Sequence, residues 1–262
     1  MNSFSRILPS RLKSYQKLTQ KKYREKEGKF IIEGVHLVEE ALHSDWNVEV
    51  IVVTDAFVSS KELLGVQKKA HAKNISIIIA SEHDFRKLAD TITVQGVVGI
   101  VHEKKLVEPW NRLSTKSFVV VLDGISDPGN VGTIIRTCDW FGIDAVILGN
   151  ASVELYNPKV LRSAMGSIFH LPVMIEENLT PTLEKFKRQH WKIVTTVVDG
   201  GEEISLNFSK GQYCFVFGNE ARGVSKEIRS LADLSITIPK FGQAESLNVA
   251  VSCGVILSQV RI

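Results

Sequence analysis

Hydrophobic positions along the first hundred residues predict a small unit of alternating strands and helices. One helix has its apolar residues at Val35, Val38, Ala41 and Leu42. At about 100° per residue these positions fall within an arc of roughly 120°, as in an amphipathic helix. Short runs rich in β-branched residues predict strands over 47–53, 75–80 and 97–101. Strands that alternate with helical patterns are typical of an α/β unit, which we expect to end near His102.

The pattern of apolar residues is interrupted after this unit. Residues 103–116 are rich in charged side chains and include Pro109, a composition that is typical of a linker. We therefore expect an N-terminal α/β domain over 1–102, a linker over 103–116 and a second domain over 117–262.

The second region begins with a run of residues, 118–122, that is too apolar for a strand at the edge of a sheet. Continuous apolar strands then alternate with helices, which indicates an α/β fold with a parallel sheet covered on both faces. Such sheets bind ligands beyond the carboxyl ends of their strands. The loops after Leu122, Phe217 and Ile238 should therefore carry the functional residues.

The first of these loops leads into a helix that carries an unburied arginine. Asn130 suits the N-cap of this helix, because its side chain can satisfy a backbone N–H of the first turn. The apolar residues on one face of the helix are Val131, Ile134, Ile135 and Cys138. Arg136 lies roughly 140° from Val131 at about 100° per residue, away from this face. The alternative is an ordinary surface arginine beside a capped helix.

The other two loops are a glycine-rich turn and the segment that leads to the last helix. Residues 218–223 place the sequence Asn-Glu-x-Arg between two glycines. A tight strand-to-helix turn explains these glycines but not the residues between them. In the third loop Ser246 can cap the last helix, which is apolar or small nearly all round. Such a helix is either buried in the core or packed on a partner.

Composition and cysteine usage exclude several classes of protein. The chain has 44% apolar and 23% charged residues, which rules out a disordered or fibrous protein. No apolar run reaches the roughly 18 residues of a transmembrane helix, and residues 1–20 lack the apolar stretch of a secretory signal. Cys138, Cys214 and Cys253 lie far apart and indicate neither a disulfide framework nor a structural zinc site. We therefore expect a cytoplasmic protein with reduced thiols and no membrane partner.

The positive charge is concentrated at one end of the chain. The net charge is +3, yet the first 29 residues carry nine basic and two acidic residues, a balance of +7 that leaves −4 for the remainder. Lysine and arginine displace counterions from phosphates, so this segment suggests contact with a polyanion. Tyr15 and Tyr23 lie among the charges, where they could stack on bases. The alternative is a solvated basic leader that binds nothing.

Each loop alone is a weak signal, but the order and spacing of the three are specific. Three segments resemble the motifs of the SpoU (TrmH) family of RNA ribose methyltransferases, within the SPOUT class. They are Asn-Val-Gly-Thr-Ile-Ile-Arg-Thr at 130–137, Gly-Asn-Glu-x-x-Gly at 218–223, and Ile-Pro at 238–239 followed by Ser-Leu-Asn-Val at 246–249. Residues 21–34 also resemble the N-terminal RNA-binding domain of that family. The resemblance covers nearly the whole chain.

The resemblance implies a fold, a cofactor and an assembly. The fold would be a parallel-sheet domain with a deep trefoil knot at its C-terminal end, one of the rare exceptions to unknotted chains, after a small α/β domain that binds the RNA substrate. The cofactor would be S-adenosylmethionine, because Gly218, Ile238 and Leu247 match cofactor-binding positions of the family. Ile238 and Leu247 would give adenine an apolar slot, and backbone amides near Gly218 would satisfy its polar edge. The assembly would be a homodimer through the catalytic domain.

The resemblance also implies which residues transfer a methyl group to a ribose 2′-hydroxyl. Arg136 matches the catalytic arginine of the family, and as a cation it would stabilise a developing alkoxide and hold a phosphate. As a base it would first have to release a proton that a guanidinium holds firmly. The residues that would orient the site are Asn130, Glu220, Ser246 and Asn248. No metal is required, because the methyl donor carries its own driving force.

The resemblance leaves the substrate and two other classes of function open. The separate N-terminal domain favours ribosomal RNA over transfer RNA only by analogy. A non-enzymatic RNA-binding protein could retain the same fold. A nucleotide-binding α/β enzyme could use the first loop for phosphate, but this alternative leaves the other two loops unexplained.

Overall fold

The computed structural model describes residues 4–104, 116–149, 151–203, 208 and 211–260. Most of the linker expected over 103–116 lies outside these residues. Contacts within the chain divide it into two units. The first comprises Met1–Lys105 and Tyr156–Phe169, and the second comprises Leu106–Leu155 and His170–Ile262. None of the helices within the described ranges has the length and apolar character that crossing a membrane needs.

Runs of β-branched residues form the sheet of the first unit. In chain order its elements up to residue 104 are β1 (Ser5–Arg6), α1 (Pro9–Lys17), α2 (Lys21–Glu27), β2 (Lys29–Glu33), α3 (Val35–His43), β3 (Val48–Thr54), α4 (Asp55–Val58), α5 (Glu62–Ala72), β4 (Ser76–Ala80), α6 (Glu82–Phe85) and β5 (Val97–His102). The strand order, among the residues described, is β1-β4-β3-β5-β2. Strand β5 runs antiparallel to β2 and β3, whereas β4 is parallel to β1 and β3. β3 and β5 are buried at almost every residue, which accounts for their continuous apolar sequences.

The basic N-terminal segment is folded and is not a free leader. It forms α1 and α2, and the side chains of Leu12, Tyr15 and Leu18 are buried in the core of the first unit. Arg24 is only 4% exposed, and its guanidinium donates to the carbonyl oxygens of Leu18 at 2.9 Å and Thr19 at 3.0 Å. These bonds satisfy carbonyls just beyond α1, where intrahelical partners are lacking. Because Tyr15 is buried, it is not available to stack on a base.

The second unit is built on a parallel sheet. The elements from residue 116 onward are β6 (Lys116–Asp123), α7 (Pro128–Trp140), β7 (Ala145–Gly149), α8 (Pro158–Ala164), β8 (Val173–Glu176), α9 (Leu179–Arg188), β9 (Lys192–Thr196), β10 (Glu202–Glu203), β11 (Gly211–Gly218), α10 (Lys226–Leu231), β12 (Leu234–Thr237) and α11 (Val249–Val260). Over the described ranges the strand order is β10-β12-β9-β11-β6-β7-β8, and all neighbouring strands are parallel. The prediction of an α/β fold with a parallel sheet is confirmed.

Helices pack against this sheet and leave the carboxyl ends of its strands to the loops. Val119 and Val121 of β6 share a buried cluster with Phe186 of α9 and Ile228 of α10. Helices α7 and α11 contact each other, and α11 also contacts β11. The central strands are therefore apolar along their length, and polar groups begin where each strand ends.

The three cysteines are buried, free thiols. Burial, together with the neighbouring thiol of Cys253, raises the pKa of Cys138 well above its ordinary value. Burial alone raises the pKa of Cys214. Thiols that are hard to ionise are poor nucleophiles, so Cys138 and Cys214 act as packing residues. The cytoplasmic location expected from them stays a prediction.

One segment departs from the expected domain boundaries. Residues 156–169, which include α8, were expected in the second domain but group with the first unit. The ring of Tyr156 stacks on Phe30 with centroids 4.3 Å apart, and Phe169 meets Trp46 edge to face at 5.4 Å. The helical pattern of α8 predicts that it has a buried face. The pattern does not specify whether that face is buried in the core of the first or of the second unit. The two aromatic pairs show that the segment packs in the core of the first unit.

Candidate active site

The carboxyl ends of β6 and β11 lie side by side in the middle of the second sheet. Leu122 is paired with Phe217, and Asp123 is paired with Gly218. Because the two strands are parallel and in this register, the loops that follow them start at the same edge. The first two loops singled out in the sequence therefore meet.

Glu220 joins the second loop to the start of α7. Its carboxylate accepts hydrogen bonds from the backbone N–H groups of Ser126 and Asp127, both at 3.3 Å, from the Ser126 hydroxyl at 3.2 Å, and from the Asn130 side-chain amide at 3.0 Å. Partial burial by itself raises the pKa of Glu220, but the hydrogen bonds, that of Asn130 first, outweigh it and hold the pKa below its ordinary value. Glu220 is therefore a carboxylate at neutral pH, at a helix end that favours negative charge.

Asn130 links the third loop to the first two. Its Nδ2 donates to Glu220, and its Oδ1 accepts a hydrogen bond from Nδ2 of Asn248 at 3.0 Å. Both ends of the amide are used, which fixes its orientation. The resulting chain of hydrogen bonds contains one residue from each of the three loops.

Two helix caps differ from the predicted ones. The side chain of Asp127, not that of Asn130, caps α7: Oδ1 of Asp127 accepts the backbone N–H of Asn130 at 2.9 Å. The helix begins earlier than predicted because a proline, which suits the first helical position, precedes Asn130 by two residues. Asn248, not Ser246, caps α11 by accepting two backbone N–H groups of its first turn. The side chain of Asn130 is thus left free to bind Glu220.

The second loop is a tight turn held by its own backbone. Asn219 and Gly223 exchange two backbone hydrogen bonds of 3.0 and 2.8 Å. A Cβ added at Gly218 would lie 2.1 Å from the carbonyl carbon of Gly223 and 2.1 Å from the nitrogen of Val224. Gly223 itself adopts a φ of 67°, which favours glycine. The glycines therefore serve the turn, and Gly218 leaves no space for a ligand at its Cβ position.

Arg136 lies on the exposed side of α7, as the helical geometry predicts. Thr133 and Trp140 on the same side are also exposed, whereas the opposite face is buried. The side chain of Arg136 forms no hydrogen bond or salt bridge with any residue that the structure describes. Its positive charge is therefore available to a ligand.

The segment between β12 and α11 is open to solvent. Ile238 is half-buried, and Phe241 and Leu247 are exposed. The backbone N–H groups of residues 240–247 donate to none of the described residues, and the Ser246 hydroxyl has no hydrogen bond to them either. Apolar side chains and unused donors in one segment suit a ligand with an aromatic ring and a polar edge.

The structure joins some of the expected site residues and leaves others apart. Asn130, Glu220 and Asn248 form one hydrogen-bonded network, and Gly218 begins the turn that carries Glu220. In the part of the chain that is described, the expected residues without a hydrogen bond to this network are Arg136, Ser246, Ile238 and Leu247.

Sequence reasoning missed two residues that hold the loops in place. The Ser152 hydroxyl accepts the backbone N–H groups of Gly124 and Ile125, both at 3.1 Å. The carboxylate of Asp123 accepts the backbone N–H of Ser225 at 2.7 Å. A polar residue directly after an apolar strand could have pointed to Asp123. Nothing local points to Ser152, because its partners lie in the loop after a different strand.

Two parts of the chain match known families. Residues 117–258 match the SpoU rRNA Methylase family. The chain belongs to this family. Residues 10–99 of this SpoU methylase match the MRM3-like substrate binding domain. The family expected from the three loop motifs is confirmed.

Relatives of this SpoU methylase align over most of its length. The 23S rRNA (guanosine(2553)-2'-O)-methyltransferase RlmP of Bacillus subtilis is 36% identical over 96% of each chain. The 23S rRNA (guanosine-2'-O-)-methyltransferase RlmB of Neisseria meningitidis serogroup B is 32% identical over 75% of this chain and 80% of its own. The crystal structure of an AdoMet-bound rRNA methyltransferase from Sinorhizobium meliloti has a TM-score of 0.82 at 27% identity, and the match covers 98% of this chain and 96% of that one. These findings confirm the expectation of an RNA methyltransferase that uses S-adenosylmethionine.

The chemistry of the third loop in this SpoU methylase fits S-adenosylmethionine. Ile238 and Leu247 would contact the adenine ring, and the unused N–H groups of residues 240–247 would donate to its polar edge. Near Gly218, where backbone amides were expected to take this role, most of them donate within the turn instead. They belong to Asn219, Ala221, Arg222 and Gly223. The third loop is therefore the better source of donors.

Substitution of Gly218 tests the turn that carries Glu220. The added methyl group of Gly218→Ala would collide with the backbone of residues 223–224, which should cost roughly 1–3 kcal/mol of stability. Displacing Glu220 from α7 should also lower methyl transfer, by about a hundredfold if the site shifts by 1 Å. Urea unfolding and a methyl-transfer assay measure the two effects.

The matched control for this substitution is Gly242→Ala. A Cβ at Gly242 would meet nothing within 4 Å, so its free energy of unfolding should stay at the wild-type value. A Gly218→Ala protein as stable and as active as the wild type would show that the turn does not need glycine.

Proposed function

We propose that this SpoU methylase transfers a methyl group from S-adenosylmethionine to a ribose 2′-hydroxyl of ribosomal RNA. The observation that carries the proposal is the network of Asn130, Glu220 and Asn248. It lies at the start of the helix that presents Arg136, whose side chain is paired with no described residue. The two curated relatives, each named as a 23S rRNA guanosine 2′-O-methyltransferase, support ribosomal RNA over transfer RNA as the substrate.

The chemistry asks the enzyme to activate a poor nucleophile. A ribose hydroxyl must be aligned with the methyl donor, so that its bond to the methyl carbon forms as the carbon–sulfur bond breaks, and it must lose its proton, which would pass to water, during transfer. S-adenosylmethionine, when bound, supplies an electrophilic methyl group on a sulfonium. The guanidinium of Arg136 would donate hydrogen bonds to the 2′-oxygen as negative charge develops there, and would hold an adjacent phosphate. No described carboxylate neutralises the charge of Arg136. The guanidinium can therefore bind the substrate without first breaking an ion pair with a described residue.

The other polar residues of the site orient the reaction. The Glu220 carboxylate already accepts four hydrogen bonds from the first loop and α7. It therefore holds Asn130 in place and is poorly suited to accept a further proton. Asn248 would keep the start of α11 beside Asn130. Ser246, two residues earlier, would turn its hydroxyl toward the substrate.

Arg136→Ala tests the catalytic assignment. Removing a group that stabilises developing charge should lower methyl transfer roughly 100- to 1,000-fold. The affinity for S-adenosylmethionine should stay unchanged, because Arg136 would contact the RNA. Methyl transfer is measured on ribosomal RNA from cells that lack this protein, with ribose methylation mapped by resistance to alkaline hydrolysis, and cofactor affinity is measured by calorimetry.

The control is Arg188→Ala, which removes an exposed arginine from α9 in the same unit. It should retain full activity. Turnover that survives Arg136→Ala would remove Arg136 from the mechanism. Wild-type protein that methylates transfer RNA and leaves ribosomal RNA unmodified would overturn the proposed substrate.

We also propose that the third loop follows the path of a deep trefoil knot. In the sheet β12 is separated from β6 by β9 and β11. The chain after β12 nevertheless returns to the start of α7, where Asn248 bonds Asn130. This return past the second loop supports a threaded chain. The threaded segment would hold the cofactor through Ile238 and Leu247, next to Gly218 at the end of β11.

We assign RNA binding to the first unit, and the match of residues 10–99 to a substrate binding domain supports this. Its charged surface has a defined centre on α1 and α2. The Nζ atoms of Lys17 and Lys22 lie 5.5 and 5.8 Å from the ring centre of Tyr23, and both lysines are exposed. Two exposed lysines beside one aromatic ring bring together cations that can contact phosphates and a ring that can contact a base. Arg24 stabilises this surface, because its buried guanidinium binds two carbonyl oxygens at the C-terminal end of α1.

The double substitution Lys17→Ala/Lys22→Ala tests this surface. RNA affinity should fall, and the slope of log affinity against log salt concentration should decrease by about 0.7 to 0.9 for each phosphate that the variant no longer neutralises. Fluorescence anisotropy over a range of salt concentrations measures both. Deleting residues 1–29 would be a poorer test, because it also removes the buried side chains of Leu12 and Tyr15.

The matched control is Lys61→Ala/Lys68→Ala, which removes the same charge from exposed positions of the first unit near and on α5. It should leave the affinity and the salt slope close to the wild-type values. Equal losses of affinity in the two double variants would mean that only the total charge matters.

We propose that the second unit pairs with a second copy of the chain through α7 and α11. Val251 and Val255, one turn apart on α11, are 53% and 36% exposed, and Trp140 at the end of α7 is also exposed. The Cβ position of Gly254 lies 3.9 Å from the Thr137 methyl group, so these parts of the two helices are adjacent. Exposed apolar side chains on two packed helices are typical of an interface.

Val251→Glu tests the dimer. A charge placed in an apolar interface should dissociate it, so sedimentation should show the mass of a dimer for the wild type and of a monomer for the variant. The control is Ile175→Glu on β8, where the replaced side chain is 52% exposed. A wild-type monomer, or a Val251→Glu protein that remains dimeric, would contradict this assembly.

A further inference from the structure

The second loop carries one charged side chain that the site described above does not use. The loop residues with a role in the turn or the network are Gly218, Asn219, Glu220 and Gly223. The side chain of Arg222 has none of these roles, although it stands between Glu220 and a glycine that the turn requires. The contacts of the turn and the network therefore account for the Asn and Glu of the Asn-Glu-x-Arg sequence, but not for the side chain of its arginine.

The backbone of Arg222 is held in a fixed position. Its N–H donates to Oδ1 of Asn219 at 3.1 Å, inside the pair of hydrogen bonds that joins Asn219 to Gly223. Glu220, two residues before it, is bound to the start of α7. The side chain of Arg222 thus begins from an ordered point next to the active site.

No described residue neutralises the charge of Arg222. The side chain is exposed and forms no hydrogen bond or salt bridge with the described parts of the chain. The carboxylates that meet this turn are engaged elsewhere, Glu220 with the first loop and Asp123 with the backbone N–H of Ser225. Other exposed arginines, such as Arg229, also lack a side-chain partner among the described residues. What distinguishes Arg222 is its place beside Glu220 on an anchored turn.

We propose that Arg222 binds a backbone phosphate of the RNA next to the ribose that is methylated. This role rests on the proposed function, because it requires RNA at the active site. A guanidinium suits it, since its planar fork donates two parallel hydrogen bonds to phosphate oxygens. With Arg136 on α7, it would hold the strand at two points.

The chemistry of the contact defines what Arg222 contributes. Phosphate contacts fix the position of a strand and carry no direct sequence information. Arg222 would therefore raise the affinity for RNA, while the choice of nucleotide would depend on other groups. When bound, S-adenosylmethionine would bring a second candidate anion, its own carboxylate. Exposure of Arg222 to solvent favours the RNA, which approaches from outside, and the experiment separates the two.

The test compares Arg222→Ala and Arg222→Lys with the wild-type full-length protein, with Arg229→Ala as the matched control. Arg229 is an exposed arginine on α10 of the same unit, so its removal subtracts the same charge away from the turn. Four quantities are measured: KM for ribosomal RNA, kcat, the Kd for S-adenosylmethionine, and the Kd for RNA over a range of salt concentrations.

Arg222→Ala should raise the KM and the Kd for RNA about tenfold, as expected when a charged hydrogen-bond partner is removed. Its salt slope should decrease by about 0.7 to 0.9, the value for one phosphate. The kcat and the affinity for S-adenosylmethionine should stay unchanged. Arg222→Lys should be intermediate, because it keeps the charge but not the planar fork. Arg229→Ala should match the wild type.

Three results would overturn this role. An unchanged KM and salt slope in Arg222→Ala would show that the residue does not touch RNA. A decrease confined to the affinity for S-adenosylmethionine would assign it to the cofactor. An equal decrease in RNA affinity in Arg229→Ala would show that the affinity depends on the total charge of the protein and not on the position of Arg222. RNA binding is measured without turnover, so wild-type protein that binds RNA but transfers no methyl group would refute the proposed function while still deciding the role of Arg222.

Discussion

The carboxylate of Glu220 is the group on which the candidate active site depends. It lies on the turn after β11, and it accepts four hydrogen bonds from the first turn of α7 and the loop before it. Without it Asn130 would have one partner fewer, and Asn248 would be bound to an unanchored side chain. The four donors and the positive end of the helix offset the cost of placing a charge there. Arg136 lies further along the same helix.

The arginines of the chain include some that hold the structure and some that are left for a ligand. Arg24 is buried and closes the end of α1, and Arg162 pairs with Asp90 at 2.6 Å. Arg136 lies on α7 and Arg222 on the turn after β11, and neither side chain is paired with a described residue. An enzyme that acts on a polyanion benefits from this arrangement, because each unpaired cation can neutralise a phosphate without first breaking an internal ion pair.

Much of the second unit could be predicted from the sequence, because its strands are continuous apolar runs and its site lies in the loops directly after them. Asn130, Glu220 and Asn248 could be singled out in this way, and the structure links them. The helices α1 and α2 could not be predicted from the sequence, because their few buried residues lie among lysines. Arg24, which is buried, cannot be told apart in the sequence from the other basic residues of this segment. Spacing also locates a helix start without deciding which side chain caps it, and here Asp127 takes the place expected for Asn130.

The placement of residues 156–169 limits how this protein can be divided. The chain passes between the two units at three points, so the first unit is not a continuous segment joined to the second by a single linker. A fragment cut at the expected domain boundary would leave Phe30 and Trp46 without the rings of Tyr156 and Phe169. A chimera that exchanged only residues 1–102 would therefore lack part of the hydrophobic core of the first unit. An exchange of the first unit with a relative would therefore have to include residues 156–169.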